Sequence, residues 1–263
     1  MNQEYWQVQE SGKPLFPDIE WSKPEQQSAR GKLLIIGGSK NGFMAVGKAF
    51  TTSNETGAGE AKVIMPDVIK SNLPKGFIEG VFLPTNQGGG FAIKGREELL
   101  GASKWADGIL LIGDSGMSSE TALLFEELLT EQNTGWLTIT RDVADLVMEM
   151  GEKLVNMPNV HLVLTFAQAQ KLFQKVYYPR PLLFSQQLSN VVESLHKFTT
   201  TYPIAITLMH QENLVVAHGG KVVTQKFDDA YKLIDGTLAT KSAVYLLWSP
   251  KKPLESVATS WQM

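Results

Sequence analysis

The sequence contains no cysteine, which removes disulfides, thiol nucleophiles and thiolate metal sites together. Histidine is almost as scarce, with four residues at 161, 196, 210 and 218 and no spacing that suits a metal. A net charge of -3 leaves no basic footprint for nucleic acid. No apolar run reaches the ~20 residues needed to cross a bilayer. The opening MNQEYWQVQE lacks the apolar core of a signal peptide. These absences predict a cytoplasmic protein with no metal site and with neither nucleic acid nor membrane as a partner.

What is present is ordinary globular composition, 43% hydrophobic and 19% charged. Its 263 residues fit one α/β unit. Residues 1–30 are polar and proline-bearing and predict an irregular N-terminal arm, with Trp6, Phe16 and Trp21 as anchors. Residues 31–263 are expected to form a single domain.

Within that domain, short Ile/Leu/Val runs alternate with helix-compatible stretches. LLIIGG (33–38), AKVIMP (61–66), GFIEGVFLP (76–84), GILLIG (108–113), GWLTIT (135–140) and VHLVLT (160–165) read as strands. Helical periodicity is expected over 141–154, 166–176, 182–198, 227–234 and 237–248. PIAITL, NLVVAH and KVVTQ predict a late strand and hairpin. Continuous apolar strands alternating with helices predict a doubly wound, three-layer α/β/α fold with a mostly parallel sheet. Right-handed crossovers then place the strand-to-helix turns on one edge, where ligands of such sheets bind.

Several turns carry the chemistry. Gly37-Gly38-Ser39 is either a tight strand-to-helix turn or an anion cradle built from free N–H groups. In Gly113-Asp114-Ser115-Gly116, Ser115 or the nearby Ser118 is expected to cap the following helix. Asp142 is either a ligand contact or, as preferred, a helix cap. Gly88-Gly89-Gly90 reads as a mobile loop or lid, because no Lys-Ser/Thr pair follows it. Asp228 and Asp229 are expected to face solvent, and His210 and His218 to lie on the surface of the hairpin.

GKLLIIGGSKNGFMAVGKAF, followed by TGAGEAKVIMPD and ADGILLIGDSGMS, resembles the ribokinase-like NAD(P)H-hydrate dehydratases over about residues 25 to 250. That resemblance implies ATP or ADP with magnesium as cofactors, carbon–oxygen lyase chemistry and a nucleotide-type cleft; a homo-oligomer is left open. It also implies a depleted site. The family's GPGLG corresponds to Gly113-Asp114-Ser115-Gly116-Met117, its DAD turn to Thr140-Arg141-Asp142, and its TPHPGE segment to Thr165 through Gln170. The ATGGTGD motif corresponds to Ala239 through Tyr245, which puts Tyr245 at the base position. Lys241 and Asp235 then remain as substitute catalytic candidates, with Gly37, Gly38, Ser39, Gly113, Asp114, Ser115 and Asp142 as ligand-binding residues. Two readings follow. One is a catalytically impaired homologue, a pseudoenzyme that keeps a small-molecule cleft. The other is an active dehydratase or related kinase rebuilt around Lys241, Asp235, Asp142 and Asp114.

Overall fold

A computed structural model describes residues 4–73, 80–131 and 135–262. Among them, ten strands form one sheet: β1 (Trp6–Gln9), β2 (Lys32–Gly37), β3 (Glu60–Pro66), β4 (Gly80–Leu83), β5 (Gly108–Gly113), β6 (Trp136–Thr140), β7 (Val160–Leu164), β8 (Ala205–His210), β9 (Asn213–His218) and β10 (Lys221–Lys226). Their order is β1-β10-β9-β8-β7-β6-β5-β2-β3-β4. The seven strands from β8 to β4 run parallel, and β9 is antiparallel to both β8 and β10. Chain order reverses between β2 and β5, which makes their C-terminal ends the topological switch point.

Alternation along each strand feeds two cores. Leu34 and Ile36 face one apolar layer while Leu33 and Ile35 face the other. Both faces are therefore buried, and this is why these strands read as unbroken apolar runs. The helix Thr237–Trp248 packs across β2, β5 and β6 and against the helix Met44–Thr56. No described helix is long and apolar enough to cross a membrane.

Several local expectations are corrected. The segment read as irregular supplies edge strand β1, parallel to β10 with Trp6 opposite Val222. Trp6 Nε1 donates to Thr224 Oγ1 at 2.9 Å, and the buried Gln9 amide donates to Ala258 O at 2.7 Å. Phe16 packs on the core but Trp21 is 85% exposed, so it anchors nothing. The long helix expected over 182–198 begins only at Leu188. Before it, Gln186 folds back to accept the Leu183 N–H at 3.0 Å, which favours a turn over helix. The helical stretch 141–154 breaks into Asp142–Leu146, a 3₁₀ segment Val147–Met150 and Gly151–Leu154. Of 227–234 only Tyr231–Ile234 is helical. In the strand expected over 76–84, residues 76–79 lie outside the described residues.

The histidines of the hairpin are not surface groups. His210 is fully buried, with Nε2 on Gln186 O at 2.9 Å and Phe166 and Phe184 against its ring. His218 packs edge-on against Trp136. The reason is sheet order: β8 and β9 are interior strands, because β10 and β1 continue the sheet beyond them. Asp228 and Asp229 are exposed, as expected.

Candidate functional site

The C-terminal ends of β2 and β5 press together. Gly37 lies opposite Gly113, and the Gly38 N–H donates to Gly113 O at 2.8 Å. The turns 37–39 and 113–115 thus share one edge of the sheet. A cavity of about 420 Å³ opens there, walled by the turns after β2, β5, β6 and β7 and by Leu233 and Ile234. Of the predicted ligand residues, Ser39, Asp114 and Asp142 line it. Gly37, Gly38, Gly113 and Ser115 stand behind it as backbone support.

Contrary to the sequence expectation, Asp142 does not cap its own helix, in which it is the first residue. Instead it crosses to the neighbouring turn, accepting the Asp114 N–H at 2.8 Å and the Ser115 N–H at 3.0 Å. Burial pushes its carboxyl above the ordinary aspartate range against the pull of those bonds, and the Asp114 charge adds to the push. Asp114 reaches in turn to the start of helix Met44–Thr56, where Oδ2 accepts the Ala45 N–H at 3.1 Å. Its other oxygen is held by Arg141 Nη2. Arg141 Nη1 donates to Ile234 O at 2.7 Å, so this guanidinium ties three turns together. Asp114 and Arg141 both have φ near +57°, in the left-handed region that non-glycine residues rarely occupy.

Asp235 caps the third backbone donor set. Its Oδ1 accepts the N–H of Thr237, the first residue of helix Thr237–Trp248, at 2.8 Å, and its other oxygen pairs with Lys48. Burial alone would raise this carboxyl, but the Lys48 and Thr237 bonds outweigh it and hold it below the ordinary range. Three carboxylates from three turns therefore sit on the backbone N–H groups that a bound anion would use.

The helix expected over 237–248 is observed at Thr237–Trp248, so Ala239–Tyr245, the segment that corresponds to the family's motif, lies in the interior of that helix. Tyr245 lies eight residues past Thr237, ~12 Å along the axis. It is buried, and its hydroxyl donates to Glu20 at 2.6 Å. It does not line the cavity. Lys241 lies more than one turn along the same helix and also stays out of the cavity lining; burial, with Lys232 nearby, depresses its ammonium. Tyr245→Phe is therefore expected to cost about 1 kcal/mol through the lost Glu20 bond. Urea unfolding would measure that cost, and any ligand affinity of the cleft should stay the same.

Other turn readings also change. The glycine loop 88–90 is fastened rather than lid-like: Lys40 N–H donates to Gly89 O at 2.8 Å, and the Asn86 amide holds Phe91 O at 2.8 Å. The hydroxyl of Ser118 accepts that same amide at 2.9 Å, and the Ser115 hydroxyl turns back to Gly113 O at 3.4 Å. Among the residues not singled out as site groups are Thr140, Arg141 and Gln168, which line the cavity, and Lys48, which pairs with Asp235. Gln168 completes a capping box with Thr165 and donates to Arg141 O at 2.8 Å. Arg141 was findable in principle, since it directly follows a strand whose neighbours end at the same edge.

Comparison with solved structures supplies a fold name. A ribokinase-like superfamily protein from Enterococcus faecalis superposes with a TM-score of 0.74 at 18% identity, over 100% of this chain and 87% of that one. The fold is ribokinase-like. This ribokinase-like fold is shared by an ADP/ATP-dependent NAD(P)H-hydrate dehydratase from Bacillus subtilis, co-crystallized with ATP/Mg2+. There the TM-score is 0.63 at 12% identity, covering 95% of this chain and 86% of the other. Pyridoxal kinase from Staphylococcus aureus, in complex with AMP-PCP and pyridoxal, gives 0.53 at 15% identity over 88% and 84%. No protein-family model and no curated protein matches the chain.

Proposed function

We propose that this chain is a divergent relative of the NAD(P)H-hydrate dehydratases that holds a small molecule in its switch-point cleft without nucleotide-dependent chemistry. The observation that carries this reading is the triple capping by Asp114, Asp142 and Asp235. In a ribokinase-like site, backbone N–H groups at helix starts would receive the phosphates. Here one N–H at each of two helix starts (Ala45 and Thr237) and two N–H groups in the turn after β5 already have a carboxylate, so a phosphate approaching them would meet like charge.

A magnesium nucleotide does not suit this donor set. Both Asp114 oxygens are engaged by Arg141 and the Ala45 N–H, and both Asp142 oxygens by backbone N–H groups. No cluster of three or more His, Cys, Asp or Glu side chains gathers to hold a metal among the described residues.

A second reading, an active enzyme rebuilt around these groups, is favoured by one observation. Asp142 is a half-buried carboxyl with a raised pKa that borders the cleft, as a general base would. Two measurements separate the readings. Millimolar ATP or ADP with magnesium is expected to raise the melting temperature by less than about 1 °C, since only ligands that bind the native state stabilise it. NADH hydrate is expected to persist unchanged. Nucleotide-dependent dehydration, or a nucleotide shift of several degrees, would replace the first reading with the second.

A further inference from the structure

The same caps say what the cleft is suited to hold. Among the described residues, the charged groups around it pair off with one exception. Asp114 pairs with Arg141, Asp235 with Lys48, and Asp145 on the next turn with Lys171. Asp142 has no salt-bridge partner among the described residues and is held by backbone N–H donors alone. It borders the open cavity, and burial and the Asp114 carboxylate both act against its charge. A cation seated beside it would relieve that cost, whereas an anion would add to it.

A second, independent feature points to a ligand with hydroxyl groups. Ser39 and Thr140 are 4% and 1% exposed, and both line the cavity. Neither Ser39 Oγ nor Thr140 Oγ1 is an enclosed, unpartnered atom; both residues face the open cavity, where their hydroxyls can donate to and accept from a bound molecule or water. Val163, Leu233 and Ile234 complete the wall with apolar surface that would cover a carbon skeleton.

We infer that the cleft takes a small organic cation bearing hydroxyl groups, an amino alcohol or amino polyol, with its ammonium beside Asp142 and its hydroxyls on Ser39 and Thr140. This rests on the reading of the cleft as a small-molecule site that does not use nucleotides. It goes further in naming the charge and polarity of the occupant. About 420 Å³ accommodates a six-carbon skeleton.

The test uses three probes with one skeleton and three charges: glucamine (cationic at neutral pH), sorbitol (neutral) and gluconate (anionic). Each is titrated into the full chain in an amine-free buffer and followed by saturation-transfer NMR and melting temperature. Glucamine is expected to bind at least tenfold more tightly than sorbitol, and gluconate not to bind. Asp142→Asn should abolish the preference for glucamine over sorbitol. Thr140→Val, which keeps the charge, should weaken both glucamine and sorbitol and serves if Asp142→Asn does not fold. Equal or better binding of sorbitol or gluconate overturns the inference, as does glucamine binding that survives both substitutions. Failure of all three probes to bind overturns it as well. A nucleotide response in the separate ATP and ADP experiment would instead remove the functional reading itself, so the two failures are distinguishable.

Discussion

Gly113→Ala is expected to destabilise the protein by at least roughly 3 kcal/mol and to open the site at the same time. Gly113 has φ +99°, and a Cβ there would lie 2.3 Å from Asp142 Oδ1 and 3.0 Å from the Arg141 Cβ. The backbone strain alone costs ~1–3 kcal/mol. The clash falls on the carboxylate that satisfies the Asp114 and Ser115 N–H groups, and pushing it away leaves buried donors without acceptors, at ~1–3 kcal/mol each. Urea unfolding of Gly113→Ala beside Gly101→Ala gives the contrast. Gly101 lies within helix Arg96–Ser103 with nothing near its would-be Cβ. Alanine there should stabilise by ~0.5–1 kcal/mol through helix propensity. A loss at Gly113 below about 1 kcal/mol would mean that the Asp142 contact is not what holds the turn.

Acid sensitivity should be set largely by His161. Its ring is fully buried on β7, with Nε2 on Thr207 Oγ1 at 2.9 Å and no partner for Nδ1. Burial, with a smaller push from His218, depresses its pKa from 6.5 to about 3. The sign follows directly. Below pH 6.5 the unfolded chain takes up a proton that the native ring refuses, so stability falls as pH falls, by ~1.4 kcal/mol per unit. The fall ends near pH 3, where the native ring titrates too. Between pH 7.5 and 5 this site contributes a loss of about 2 kcal/mol. His161→Gln removes the titrating group, so its stability–pH profile should be flatter than the parent's by that amount. Parallel profiles between pH 7 and 5 would show that the buried ring is not the source. His218 is depressed as well, chiefly by burial, and adds acid sensitivity of the same sign that His161→Gln leaves in place.

The chain itself determined the layers. Leu33-Leu34-Ile35-Ile36 and Ile109 through Ile112 are apolar at every position, which is possible only for strands covered on both faces. The glycines at 37, 38 and 113 likewise announced where backbones meet at the sheet edge, because nothing larger fits there. Short-range signals of this kind are written in consecutive residues, so they survive without knowledge of the fold.

Only the tertiary structure decided where the long-range partners fall. Trp6–Gln9 is polar and short, and nothing in it says strand; it becomes one because β10 offers a free edge more than 200 residues later. The same holds for the site. Asp142 reads locally as a helix cap, and it caps a different turn because β5 and β6 run side by side with their ends level. The resemblance puts Tyr245 at the base position, but the helix starts at Thr237, and eight residues of helix carry the ring away from the edge. A motif read in one dimension fixes neither the start of a helix nor which of two neighbouring turns a carboxylate will reach. Those follow from packing, which brings Asp114, Asp142 and Asp235 from three turns onto backbone donors that no local pattern links.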